Sequence, residues 1–232
     1  ASIWFAVRQE ETLPPARRMP FSLARMAGAT REVVTNRKSI GYTIASGYVF
    51  GAFLGYLTSA QQILQEQYAL GTQFPLYFAM LAVAIGGASF VNAGLVVRYG
   101  MRPLSNWSLR GICIVSVLFT AIVSTGSGQP PLWMLMTYLM VVFFGIGLLF
   151  GNLNALAMQP LGHIAGTGAA VVGATSMLIS LVLGTWIGQS YNGTVLPLVA
   201  GFAVLSACSI IAAWWAESGE PRQVLDSNGV VL

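Results

Sequence analysis

The side chains best able to do chemistry are six uncharged polar residues set inside long apolar stretches: Tyr48, Tyr56, Gln61, Asn92, Tyr138 and Asn152. Such groups are costly in hydrocarbon and usually face a partner helix or a water-filled path. Tyr48, Ala52 and Tyr56 recur at four-residue spacing, which puts them on one helical face. That face is the expected wall of a binding cavity, because aromatic faces suit apolar or cationic molecules. For Asn92, Asn152 and the neighbouring Asn154, an interhelical hydrogen bond and a cavity-lining place both stay open.

Catalytic groups are scarce. His163 is the single histidine and sits in a polar turn. Gly87-Ala-Ser89 has no histidine to activate its hydroxyl as an intramembrane serine protease would require. Cys113 and Cys208 lie in separate stretches with no acid beside them, so they read as small buried apolar residues. No enzyme, metal site or cofactor is expected.

The elements that position these residues are membrane helices. Gly111 to Ala216 is a run of 106 residues without Asp, Glu, Lys or Arg. A crossing takes about 20 helical residues, so the run holds about four. Polar clusters at 124–131, 159–163 and 189–194 divide it. Ser39 to Gln65 and Gln67 to Val97 are equally free of charge and add two more. The expectation is an all-α membrane protein with six spans at about 40–62, 74–97, 109–124, 132–156, 165–188 and 195–216.

All eleven basic residues fall on one side of such a layout. Arg8, Arg17, Arg18, Arg25, Arg31, Arg37 and Lys38 precede the first span, Arg98, Arg102 and Arg110 flank the second turn, and Arg222 lies in the tail. The positive-inside rule then puts both termini in the cytoplasm. The net charge of +4 faces anionic lipid rather than nucleic acid.

Residues 1–7 are apolar and followed at once by Arg8-Gln-Glu-Glu, which reads as the cytoplasmic end of an earlier transmembrane helix, with further spans expected upstream. Residues 8–39 form a basic cytoplasmic linker in which Ser22 to Lys38 is an expected interfacial helix, with Leu23, Met26, Val33 and Val34 apolar. Residues 217–232 are a cytoplasmic tail. Small residues at four-residue spacing predict close helix packing along Gly47, Gly51, Gly55 and Ser59, along Gly147, Gly151 and Ala155, and along Gly162, Gly166, Ala170 and Ala174.

Two segments resemble a known family. Tyr56-Leu-Thr-Ser-Ala-Gln-Gln-Ile-Leu-Gln-Glu-Gln-Tyr-Ala-Leu70 with Gln73-Phe-Pro-Leu-Tyr-Phe-Ala79, and the stretch from Gly147 to Ala170 carrying Asn152, Pro160, Gly162, His163 and Gly166, are similar to Bcr/CflA-type drug efflux transporters of the major facilitator superfamily. They match span junctions of the C-terminal half of that family. Gly151 stands where the family usually has Pro, and Met158 and Gln159 are unusual. The turn Gly94-Leu-Val-Val-Arg-Tyr-Gly-Met-Arg102 resembles the superfamily's cytoplasmic gate motif through Arg98, Gly100 and Arg102, with Val97 in the place of its acid.

The resemblance implies one six-helix bundle that pairs with an N-terminal six-span half of the same polypeptide in a bacterial inner membrane. It implies alternating access, proton-coupled antiport of small apolar or cationic drug-like substrates, and antibiotic resistance. First, second, fourth and fifth spans would serve the cavity or its gates, and third and sixth would face lipid. The coupling carboxylate would lie outside this chain. The alternative is a stand-alone six-span oligomeric channel or structural membrane protein.

Overall fold

The computed structural model describes residues 23–126 and 128–218. The expected end of a preceding helix at 1–7, the linker up to residue 22 and the tail beyond 218 lie outside the described residues. Seven α-helices are described: α1 (Leu23–Thr35), α2 (Arg37–Gln61), α3 (Phe74–Tyr99), α4 (Met101–Thr125), α5 (Leu132–Met158), α6 (Ala165–Gln189) and α7 (Leu196–Glu217). Five continuous helical stretches are long and apolar enough to cross a membrane; one of them, Leu132–Gln189, runs for 58 residues. That stretch is two helices. A 3-10 segment, Gln159–Ile164, with Leu161 at φ −103° and ψ 17°, turns the chain between α5 and α6, where Pro160 removes a helix donor. The long apolar helices are therefore six, and the chain is an integral membrane protein.

Helix α4 begins at Met101 rather than near 109. Its first turns carry Arg102 and Arg110, because a helix need not stop where its hydrocarbon crossing does. Gly100, at φ +83°, makes the tight turn out of α3, a conformation that glycine adopts without strain. Helix α1 ends at Thr35, and Asn36 caps α2 by accepting from the Ser39 amide at 3.0 Å. Of the apolar residues expected on the linker helix, Val33 is buried while Met26 and Val34 are exposed.

Helix α2 is central, packing against α5, α6 and α7. Its contact with α6 is reciprocal. A Cβ at Gly47 or Gly55 would stand 2.8 Å from Ile179 or Ile187. A Cβ at Gly184 would stand 2.6 Å from Leu54, and one at Gly188 would strike Thr58. Gly51 admits Leu183 with a little more room, at 3.2 Å. Small residues replace bulk where two backbones approach, so dispersion contacts are gained from both helices at once. Thr58 donates to the Gly184 carbonyl at 3.3 Å and Ser176 to that of Thr43 at 3.1 Å. Gly147 of α5 rests on Ile85 and Ala88 of α3.

The other expected stripe is displaced. Gly162 and Gly166 have no atom within 4 Å of a Cβ position, and on α5 the same holds for Gly151 although Gly147 is packed. The buried face of α6 runs instead through Gly168, Val172, Ser176, Ser180, Gly184 and Gly188. These positions are offset by two residues from Gly166 and Ala170, which is about 200° around the helix. Exposed apolar side chains such as Phe90 (85%) and Val83 (70%) line α3, as befits a helix in contact with lipid. Trp107, Trp133, Trp186 and Trp214 are exposed near helix ends, where indole rings sit at the membrane interface.

Candidate functional site

Between α2, α5 and α6 lies a trough of about 480 Å³. Ser46, Phe50, Phe53, Leu54 and Leu57 of α2 form one wall, Phe150 and Asn154 of α5 a second, and Gly173, Ser176, Met177, Ser180 and Leu181 of α6 the third. Helical spacing sets the wall of α2. Residues 46, 50, 53, 54 and 57 follow the three-and-four-residue step that keeps side chains on one face.

The aromatic floor is preorganised. Phe50 stacks on Phe150 with ring centroids 4.6 Å apart, and Phe53 meets Phe150 and Phe143 edge-on at 5.6 and 5.5 Å. Met177 and Leu181 are exposed above it. Among the described residues no Asp, Glu, Lys or Arg lines the trough. Its chemistry is that of an apolar, aromatic cleft with a few hydroxyls and one amide, the composition common to small-molecule sites.

The expected cavity residues lie elsewhere. Tyr56 is 1% exposed. Its ring sits edge-on to Phe143 at 4.8 Å and beside Phe78 at 6.1 Å, and its hydroxyl has no hydrogen-bond partner among the described residues. Tyr48 is half-buried against the core. The face of Ala52 and Tyr56 therefore turns inward, and the trough is walled by the neighbouring phenylalanines, whose apolar side chains carry no polar mark in the sequence. A stripe of Phe50, Phe53 and Leu57 at helical spacing was the signal available for them.

Asn92 and Asn152 do meet, tying α3 to α5. The Asn152 amide donates to Asn92 Oδ1 at 2.8 Å and also to the Leu148 carbonyl. This is the interhelical hydrogen bond of the two places expected for the pair. Tyr138 is buried, stacked on Phe119 at 4.3 Å and 3.0 Å from the Ser116 hydroxyl; it joins α5 to α4, away from the trough. Gln61 is exposed at the end of α2. In the turn after α3, Arg98 lies over the Tyr99 ring at 5.3 Å.

Polar ties gather at both ends of the helices. At one end Arg37 donates to the Trp215 carbonyl at 2.7 Å, bonds Ser218 and lies over the Trp215 ring, while the Tyr42 hydroxyl donates to Glu217. His163 meets Glu32 at 2.8 Å, joining α1 to the turn before α6.

At the opposite end α2 widens into a π-helical segment, Gln62–Gln67, a rare conformation that is frequent at functional sites. Tyr191 donates to the Gln62 carbonyl and to Gln67 Oε1, Gln129 donates to the Gln67 carbonyl, and Tyr68 donates to the Pro130 carbonyl. Burial raises the Tyr68 hydroxyl to about 12. Burial, then the charge of Glu66, raises that of Tyr191. Both phenols thus keep the proton they donate.

Among the described residues no group of three His, Cys, Asp or Glu is placed to hold a metal ion. Cys113 and Cys208 are free and half-buried.

Six long apolar helices, three of which enclose an aromatic trough, define an integral membrane protein with an apolar cleft. Over 209 residues, 89% of this chain, it is 25% identical to the uncharacterized MFS-type transporter YdgK of Bacillus subtilis, covering 51% of that protein. Over 221 residues, 90% of this chain, it is 22% identical to a bicyclomycin resistance protein homolog of Haemophilus influenzae, covering 52% of it. The chain spans about half the length of these relatives. No family model and no solved structure matches.

Proposed function

We propose that this chain is the C-terminal six-span bundle of a proton-coupled drug efflux antiporter in a bacterial inner membrane, with both termini cytoplasmic, and that the trough is its share of the substrate path. The observation that carries the reading is the trough itself: aromatic, free of charge, and built from the first, fourth and fifth spans. An N-terminal six-span half of the same polypeptide supplies the opposite wall and the coupling carboxylate, since Glu66 is the sole acid between Glu32 and Glu217 and lies at the helix ends. Rocking of the two bundles would expose the trough to each side in turn. The turn with Arg98, Gly100 and Arg102 serves as a cytoplasmic gate element.

Small apolar or cationic drug-like molecules fit a cleft of this kind. The test is uptake of a fluorescent drug into inverted membrane vesicles containing the full-length protein. Accumulation against the gradient that stops when the proton gradient is collapsed is the expected result. Simple equilibration of the drug would instead indicate a channel or an oligomeric pore and would overturn the reading.

A further inference from the structure

The trough's hydrogen-bonding sense is biased. Ser176 and Ser180 stand one turn apart on α6, about 6 Å along the helix axis, and both line it. The Ser176 hydroxyl donates to the Thr43 carbonyl at 3.1 Å, and the Ser180 hydroxyl donates to the Met177 carbonyl at 2.9 Å. Each serine has one proton to give, and each has given it. In this geometry the two hydroxyls are directed at carbonyls and turn oxygen lone pairs toward the cleft, ready to accept. Ser46 and Asn154 can serve in either sense, and no Lys or Arg adds a donor.

An apolar cleft leaves an unmatched polar edge costly. Molecules that present acceptors or negative charge to Ser176 and Ser180 must first draw a hydroxyl away from its carbonyl, while those that present N–H or O–H groups meet a partner at once. The aromatic floor adds a preference for flat rings, through stacked and edge-on contacts.

Resting on the reading of the trough as a substrate site, we infer that its preferred substrates are planar aromatic molecules carrying N–H or O–H donors, held by Ser176 and Ser180 as acceptors. Hydrogen-bond donation, not positive charge, selects them.

Matched fluorescent probes test this on the purified full-length protein in lipid nanodiscs by anisotropy titration. Acridone carries a ring N–H, 10-methylacridone replaces it with a methyl group, and 10-methylacridinium carries charge without a donor. Acridone should bind at least fivefold more tightly than 10-methylacridone, and the ratio should fall toward one in Ser176→Ala and Ser180→Ala. Ser180 donates within its own helix, so Ser180→Ala keeps the test valid should Ser176→Ala fail to fold.

Equal affinity for the two acridones, with both weakened by Phe50→Ala, would overturn the donor preference and leave the trough as a binding site. Tighter binding of 10-methylacridinium than of acridone would overturn it likewise. Failure of Phe50→Ala to change the binding of any probe would remove the site itself, and the inference with it.

Discussion

Gly55 of α2 and Ile187 of α6 lie so close that a Cβ on the glycine would stand 2.8 Å from the isoleucine's Cγ2. The same isoleucine fills the space at Gly201 of α7, 2.7 Å from a Cβ there. One branched side chain thus spaces three helices, and its room is made by two missing methyl groups.

Overpacking this contact should be destabilising. Gly55→Leu and Gly184→Leu are expected to cost about 1–3 kcal/mol or more, because neither backbone can retreat without losing other contacts. Gly166→Ala, which meets open space, should be neutral or stabilise by up to about 1 kcal/mol through helix propensity. Thermal unfolding in detergent compares the three variants; equal melting points would show that the glycine face of α2 is not in contact.

Tyr56 and Phe50 should separate stability from transport. Tyr56→Ala empties a fully buried site and is expected to destabilise by about 3–5 kcal/mol, as other large aromatic truncations do. Tyr56→Phe removes a hydroxyl that has no partner among the described residues and should leave stability unchanged or raise it. Phe50→Ala and Phe150→Ala should lower drug export at unchanged membrane abundance. A transport defect confined to Tyr56→Phe would return the substrate path to the face first expected from the sequence.

The Asn92–Asn152 pair should be a modest tie. A double-mutant cycle with alanine at both positions is expected to return a coupling of roughly 0.6 kcal/mol, within the range known for hydrogen bonds between membrane helices. Coupling in transport rate without coupling in stability would instead assign the pair to the substrate path.

The contact between His163 and Glu32 is exposed on both sides, 63% and 39% by side chain. Its coupling should therefore stay below about 1 kcal/mol and weaken as salt is added. A larger, salt-insensitive value from a Glu32→Gln and His163→Gln cycle would mean that the pair is covered in the assembled protein.

Alkaline pH should loosen the end of the molecule held by Tyr68. Its pKa is raised by burial from 10.0 to about 12, so the unfolded chain ionises first. Stability attributable to the neutral phenol is complete below pH 10.0 and is lost as pH rises toward about 12. Tyr68→Phe should flatten this part of the stability profile. An unaltered profile in that variant would place the titration elsewhere.

Composition by itself determined that this chain lies in a membrane and how often its helices cross. Lipid cannot hydrate charge or open backbone, so the 106 uncharged residues from Gly111 to Ala216 and the polar clusters that cut them leave few arrangements. Helix ends were legible to within a few residues except at Met101, where α4 runs through two arginines; beyond the expected end of α2 the chain goes on as a π-helix.

Which way each helix faces was not legible, and only the tertiary structure decided it. In a soluble protein polarity separates core from surface, but hydrocarbon and protein interior are alike to Leu, Phe and Gly, so that signal fades. Shape then selects the buried face. Gly184 and Gly188 admit Leu54 and Thr58, whereas Gly162 and Gly166 admit nothing. The same close fit of α2 against α6 turns Tyr56 into the core and leaves Phe50 and Phe53 to line the trough.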